Sequence, residues 1–502
     1  MTTGIWVLGD QLSLQQAALQ NRAENRQDTP IIFIESLNYA KQRPYHSQKL
    51  VLVWSAMRHF AEELRTEGWS IDYKIAEDFQ TPLKEWIDSN NISDLLIMTP
   101  SDRTFANFIN NLKLNCTINF IDNNLFLWSV KDFKNWAESR KRLLMEDFYR
   151  QGRKDFNILM DGDRPIGDKW NFDKENRKPP KKNLDTPAKL SFEPDKITQE
   201  VIEKVAALDI PKYGEIEPFN WGVTRQEALE VLDYFIGESL ANFGTYQDAM
   251  VIGEETMWHS LISPYLNLGL LQPQEVIEKA AKAKEKNKEL PLNSLEGFIR
   301  QVMGWREYMH GIYHYVDADY AKKNWFEHTQ SLPKFYWDSS KTDLNCLQQT
   351  LSQVEKTGYA HHIQRLMLLS NFALIIGTSP QELENWFHSA FIDAYDWVMQ
   401  TNVIGMGQFA DGGILASKPY ASSANYINKM SDYCKKCKYK HTKRTGENAC
   451  PFNYFYWDFL TRHRDKLKSL GRMNLILANL KKIDPEELEE MQKLAQQWRE
   501  KN

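Results

Sequence analysis

Cysteine is scarce in this chain, with five among 502 residues. An odd and sparse set, behind an N-terminus without a secretory pattern, excludes a disulfide-stapled scaffold. No stretch of ~18 consecutive apolar residues occurs, which excludes a membrane-spanning helix. Basic residues are not in excess either, because the formal net charge is -5. A nucleic-acid partner must therefore be met by a local basic face, since affinity follows the phosphates actually contacted. The opening residues Met1-Thr2-Thr3-Gly4-Ile5-Trp6-Val7-Leu8 lack a basic region followed by an apolar core. They read as a first β-strand, and the expectation is a cytoplasmic protein with no membrane contact. Tryptophan, by contrast, is plentiful at sixteen residues. Most indoles pack, but an excess also suits stacking on flat rings and moving electrons.

Up to about residue 130, short β-like runs alternate with helical stretches. The runs are Ile5–Leu8, Ile31–Ile34, Ile71–Ile75, Leu95–Met98 and Ile118–Ile121, with amphipathic segments such as Leu50–Arg65 and Leu83–Asn90 between them. Strand–helix–strand at this spacing predicts a Rossmann-like parallel sheet covered by helices, whose ligands sit beyond the strand ends. Residues 160–220 are rich in proline and charge and predict a long surface connection. From about 224 onward helix-period patterns dominate, including Arg225–Ser239, Ser294–Tyr313, Cys346–Lys356, His361–Ile376, Pro380–Met399 and Pro485–Trp498. The expected organisation is an α/β domain over 1–135, a linker with helical segments over 136–223, and an all-α domain over 224–502.

Four of the five cysteines invite a metal reading. Cys434 and Cys437 form a C-x2-C pair, Cys450 follows with Pro451 directly behind it, and Cys346 can join only through the tertiary fold. A C-x2-C turn brings two thiolates to one centre. Zinc and iron–sulfur both fit this spacing, and His441 or His463 could complete a Cys–His set. Cys116, near a predicted strand, reads as a core thiol.

Several stretches of the helical half resemble one family. Trp258-His259-Ser260-Leu261-Ile262-Ser263-Pro264 is similar to the start of a flavin-phosphate-binding helix in photolyases. Gly304-Trp305-Arg306-Glu307-Tyr308 resembles their Trp-Arg-Glu-aromatic motif. His361-His362-Ile363-Gln364-Arg365 matches the His-His-x-x-Arg motif of the bacterial iron–sulfur branch. Asp411-Gly412-Gly413, Ser417-Lys418-Pro419-Tyr420 and Cys450-Pro451-Phe452-Asn453 follow in the order of that branch. By these motifs the chain is identified as a member of the iron–sulfur bacterial photolyase–cryptochrome group.

That resemblance implies an antenna-binding α/β domain and a helical domain holding FAD. It implies a 4Fe-4S cluster on Cys346, Cys434, Cys437 and Cys450, deciding what spacing left open. It also implies a 6,7-dimethyl-8-ribityllumazine antenna near Gly9, Asp10 and Glu35. Flavin contacts are expected from His259, Ser260, Leu261, Ser263, Trp305, Arg306, Glu307, Asp393, Asp396 and Asn402. Branch members repair the (6-4) pyrimidine–pyrimidone photoproduct in UV-damaged DNA, while others are described as cryptochromes. The alternatives are thus a blue-light sensor or a cyclobutane-dimer photolyase. His361 and His362 favour the (6-4) lesion, whose repair needs proton transfer suited to imidazole. Arg365 is expected on the same helix face, with Tyr420 and Tyr426 in the pocket of a flipped lesion. One departure stands out. Gly405-Met406-Gly407-Gln408-Phe409 has no tryptophan where many photolyases begin an electron path, so Trp337 and Trp386 are the expected substitutes. DNA phosphates are expected to meet Lys178, Lys181, Lys182 and Lys418, and the protein to act as a monomer.

Overall fold

The computed structural model describes residues 2–181 and 184–501. Met1 of the expected first strand and Lys182 of the basic linker lie outside the described residues. Five strands form one all-parallel sheet: β1 (Thr2–Trp6), β2 (Ile31–Ser36), β3 (Ile71–Ala76), β4 (Ile92–Met98) and β5 (Thr117–Ile121), in the order β3-β2-β1-β4-β5. All five predicted strands are present, with β1 and β4 each beginning three residues earlier than expected.

The period-2 alternation of the strands sends side chains to two faces. Ile5 pairs with Ile31 and Trp6 with Ile32. Ile5, Val7, Ile31 and Phe33 join a core with helix Ser47–Thr66. Trp6, Leu8, Ile32 and Ile34 join a second one with helices Gln80–Ser89 and Arg103–Asn110. Both faces of the central strands are covered, which is why β2 reads as a nearly continuous apolar run. Strand order reverses between β1 and β4, so the crevice beyond their carboxyl ends is where a ligand belongs.

The first core does not stop at the sheet. It continues through Val231, Leu266, Ile277 and Ile299 of the helical half. A separate core gathers around helices Asn345–Thr357, Asn371–Ile376 and Pro451–Arg462, closed by Pro485–Lys501. The connecting stretch is more firmly tied than its composition suggests. Arg153 is fully buried, donating to the carbonyls of Ile158, Leu159 and Trp170. Helix Lys196–Ala207 sends Lys204 back to Glu35 on β2.

The expectation of one helix over Pro380–Met399 is corrected. It ends at Ala390, Phe391 turns extended (φ -106°, ψ 135°), and helix resumes at Asp396. The break is held by tertiary bonds that replace the helical ones. Ile392 N–H donates to the Gly358 carbonyl (2.9 Å), and Arg365 grips Asp393. Helix continuity is also interrupted by four π turns, at Phe235–Ser239, Arg300–Arg306, Gln364–Ser370 and Gln400–Gly407.

Candidate active site and a second cavity

A cavity of about 490 Å³ opens among the helices. Three of the four π turns line it, through Trp305 and Arg306, through Arg365 and Met367, and through Asn402 and Met406. A π turn spends an extra residue to redirect side chains and occurs most often at functional sites. A fourth wall is the segment His259–Ser263, reached through two non-glycine residues in the left-handed region, Met257 (φ 48°) and Leu261 (φ 56°). Such conformations cost energy and cluster at ligand clamps. Tyr420 and Tyr426 complete the wall, with Tyr426 Oη 3.4 Å from an Asp248 carboxylate oxygen.

Of the predicted flavin contacts, His259, Ser260, Leu261, Ser263, Trp305, Arg306, Asp393 and Asn402 do line this cavity. Arg365 donates from both terminal nitrogens to Asp393 (2.8 and 3.1 Å), and Ser263 Oγ donates to the same carboxylate (2.7 Å). Burial alone would raise the Asp393 carboxyl, but Arg365 and then Ser263 hold it below the ordinary range. Arg365 also lies over the Phe391 ring at 4.2 Å. Its role is therefore to position Asp393. Arg306 is sandwiched near Phe126 and Trp397, and its buried Nε has no protein partner. A buried donor without a partner is costly.

The two histidines separate. His362 is solvent-accessible through the cavity, though deeply surrounded by protein. Burial, then the positive field of Arg365, lowers it to about 4. His361 is corrected: it lies behind the wall, 1% exposed, stacked on the His259 ring at 4.3 Å and 10°. Its backbone N–H donates to Gln364 Oε1 (3.0 Å). His259 is likewise lowered to about 4 by burial.

Other expectations are also corrected. Glu307 turns away from the cavity, accepting from the amides of Leu127 (2.7 Å) and Trp128 (3.2 Å). It pins the domain junction, and burial raises it to about 7. Asp396 faces the α/β half, accepting from Thr104 (2.6 Å) beside His388 (3.1 Å) and Arg43 (3.8 Å). Glu35 is consumed by Arg58 (2.8 Å), Lys204 and Tyr73 (2.7 Å). Trp386 is buried, donating to the Tyr336 carbonyl (2.7 Å), and Trp337 stands at the surface against Tyr213 (5.6 Å). Neither lines the cavity. Lys178 and Lys181 are exposed and Lys418 half-buried. Sequence reasoning missed Arg177, which lines the cavity and pairs with Asp173 at 3.2 Å. The only signal was its place in the basic, proline-rich stretch.

A second cavity of about 120 Å³ lies where the sheet topology requires, beyond β1, β2 and β4. Gly9 and Asp10 line it as expected, together with Lys49, Asp102, Tyr395 and a ring of aromatic side chains. Burial raises Asp10 to about 6 and lowers Lys49 to about 7. Asp102 is raised well above its ordinary value by burial and by Asp396.

The cysteines sit on three elements. Cys346 is in the first turn of Asn345–Thr357, Cys434 is on the 3-10 turn Tyr433–Lys436 with Cys437 just after it, and Cys450 caps Pro451–Arg462. Among the described residues, only Glu384, His388 and Asp396 hold three ligand atoms within 4.8 Å of one another. The thiols therefore do not converge as ligands of one ion would. Cys346 nevertheless feels Cys450, Cys434 and Cys437, which add to the burial that raises it, whereas Cys116 packs beside the sheet. His463 is engaged with His328 (3.0 Å), leaving a zinc set without it.

The fold itself defines the class. A bacterial class III photolyase from Agrobacterium tumefaciens superposes with a TM-score of 0.59 at 17% identity, covering 100% of this chain and 98% of that one. A cryptochrome from Synechocystis sp. PCC6803 gives 0.57 at 14% identity, covering 81% and 82%. This is the photolyase–cryptochrome fold. A family model described as deoxyribodipyrimidine photo-lyase-related protein matches residues 5–221. The (6-4) photolyase of Agrobacterium fabrum is 44% identical over 481 residues, covering 94% of each chain. The chain belongs to this photolyase-related family.

Proposed function

We propose that this protein repairs (6-4) photoproducts in UV-damaged DNA under light, with FAD in the large cavity. The carrying observation is that His362, Asn402, Tyr420 and Tyr426 share one open cavity in a chain 44% identical to a (6-4) photolyase. Ordinary ligand pockets measure roughly 300–1,000 Å³, and at about 490 Å³ this cavity is of the size that takes a large organic ligand. Ser260, Leu261, Ser263, Trp305, Arg306 and Asn402 would hold FAD. When bound and reduced, FAD supplies the light-driven electron.

The chain's own task is position and protons. A damaged pair is cheapest to flip because its stacking is already weakened. Tyr420 and Tyr426 offer rings and hydroxyls to it. His362, lowered to about 4 by burial and Arg365, is neutral near pH 7, and a neighbouring DNA phosphate would raise it toward the proton-donating form. Asp393, fixed by Arg365, sets the opposite wall.

Several finer assignments belong to the same reading. The smaller cavity takes a ribityllumazine antenna, with Asp10 and Lys49 as its polar contacts. Cys346, Cys434, Cys437 and Cys450 carry a 4Fe-4S cluster, a grouping supported by their shared electrostatic neighbourhood. Metal analysis returning zinc in place of iron would overturn it. Trp337 and Trp386 would pass electrons toward the cavity, supported by the 5.0 Å ring separation between Trp386 and Phe387, which lines it. Lys178, Lys181 and Lys418 meet phosphates, the protein acts as a monomer, and the division 1–135, 136–223 and 224–502 separates antenna, linker and flavin parts. The reading is tested by dark competition between labelled oligonucleotides. Tighter binding of the (6-4) duplex than of undamaged and cyclobutane-dimer duplexes is expected, and equal binding of all three would count against it.

A further inference from the structure

Behind the histidine wall lies a polar node that neither cavity uses. Gln364, Gln353 and Tyr433 are 2%, 6% and 2% exposed, and a buried amide must find partners for its donors and its acceptor. Gln364 does so fully. Its Oε1 accepts from the His361 backbone N–H (3.0 Å), and its Nε2 donates to Gln353 Oε1 (3.0 Å) and Tyr433 Oη (3.2 Å). Gln353 Nε2 in turn donates to the Glu255 carbonyl (3.0 Å). Glu255 begins the turn through left-handed Met257 that presents His259. The node thus holds both halves of the His259–His361 stack from behind.

Its third arm leads elsewhere. Tyr433 immediately precedes Cys434, and its carbonyl accepts from Asn345 Nδ2 (2.8 Å), the residue before Cys346. Gln364 is also the first residue of the π turn that carries Arg365 onto the cavity wall. One side chain therefore meets the histidine corner, the π turn and the cysteine-bearing segment.

We propose that Gln364, locked by Gln353 and Tyr433, is the positioning residue for the His361–His362 corner and couples it to the cysteine-bearing segment. None of the three touches the cavity, so the effect travels through His361 and its stack with His259. Fully satisfied buried networks of this kind specify one geometry, and a misplacement of about 1 Å at a reacting group can cost about a hundredfold in rate.

The inference rests on the proposed repair reaction, and the test separates the two. FAD-loaded full-length protein is compared with Tyr433→Phe, which removes one hydroxyl, and Gln364→Met, which removes the whole node. Both are expected to keep the parent's flavin content and its KM for a (6-4) oligonucleotide within about twofold. Their kcat should fall about tenfold and about a hundredfold respectively, and the histidine ring resonances in NMR should shift in the dark. Parent kcat with unmoved histidine resonances in Tyr433→Phe overturns the proposal. That criterion stands even if Gln364→Met fails to retain flavin. If the unaltered protein repairs nothing, the repair reading fails alone, and the dark histidine resonances still decide the positioning claim.

Discussion

The small cavity beyond the sheet and the large cavity among the helices share a wall, residues 393–397, yet they handle charge in opposite ways. Along that strap Asp393 faces the large cavity, the Ala394 carbonyl accepts from Lys49, and Tyr395 lines the small one. The amides of Asp396 and Trp397 then donate to Asp102 (3.2 and 2.9 Å), while the Trp397 ring returns to the large cavity. On the large side, Arg365 and Asp393 neutralise each other at hydrogen-bond distance. On the small side, Asp10 and Asp102 are raised and Lys49 is lowered. The large cavity carries a fixed field, which suits a reaction that must not wait for its surroundings to reorganise. The small cavity holds groups whose protonation shifts easily when a ligand enters.

The comparison breaks first at His362. His362→Ala should cost repair about a hundredfold or more, the usual scale of acid–base assistance, with flavin content unchanged. Repair at the parent rate would remove the proton role from the large cavity. Next comes the charge pair. Asp393→Ala leaves Arg365 buried without its partner and should destabilise by about 3–5 kcal/mol, read as a fall in melting temperature with loss of flavin.

Asp10 tests the other cavity by pH. Its carboxyl is raised from 3.8 to about 6, so the stability it contributes is complete below pH 3.8 and is lost as pH rises through about 6. Asp10→Asn should therefore be the more stable protein above pH 6, by about 1–2 kcal/mol after allowing for partial exposure. The two melting curves should converge toward pH 4, and a constant gap across that range would contradict the assignment. The smallest effect is expected from Trp386→Phe. It should slow photoreduction of oxidised flavin several-fold and leave repair by chemically reduced flavin untouched, as transient absorption would show.

The sheet was legible because its central strands are apolar on both faces, its edge strand Ile71–Ala76 alternates apolar and polar residues, and all are spaced for crossover helices. The motif residues were legible by type, but type does not fix direction. Glu307 stands within a family-like motif and Asp396 where a flavin contact is expected, yet one binds the backbone amides of Leu127 and Trp128 and the other faces the sheet. His361 and His362 are neighbours in sequence and occupy opposite sides of a wall. The π turns and the break at Phe391 were hidden for a physical reason: both depend on tertiary partners, such as Gly358 for Ile392 and Arg365 for Asp393, which local periodicity does not contain. The Arg177–Asp248 pair and the Gln364–Tyr433 bond were invisible because these partners lie far apart along the chain.

Anaerobic illumination of the reduced, FAD-loaded protein with an oligonucleotide carrying one (6-4) photoproduct, followed by chromatography of the strand, tests the central claim most directly. Light-dependent return of the undamaged strand, absent in the dark and absent with His362→Ala, is the predicted result. An unchanged lesion after illumination of protein that demonstrably holds reduced flavin and bound DNA would contradict it.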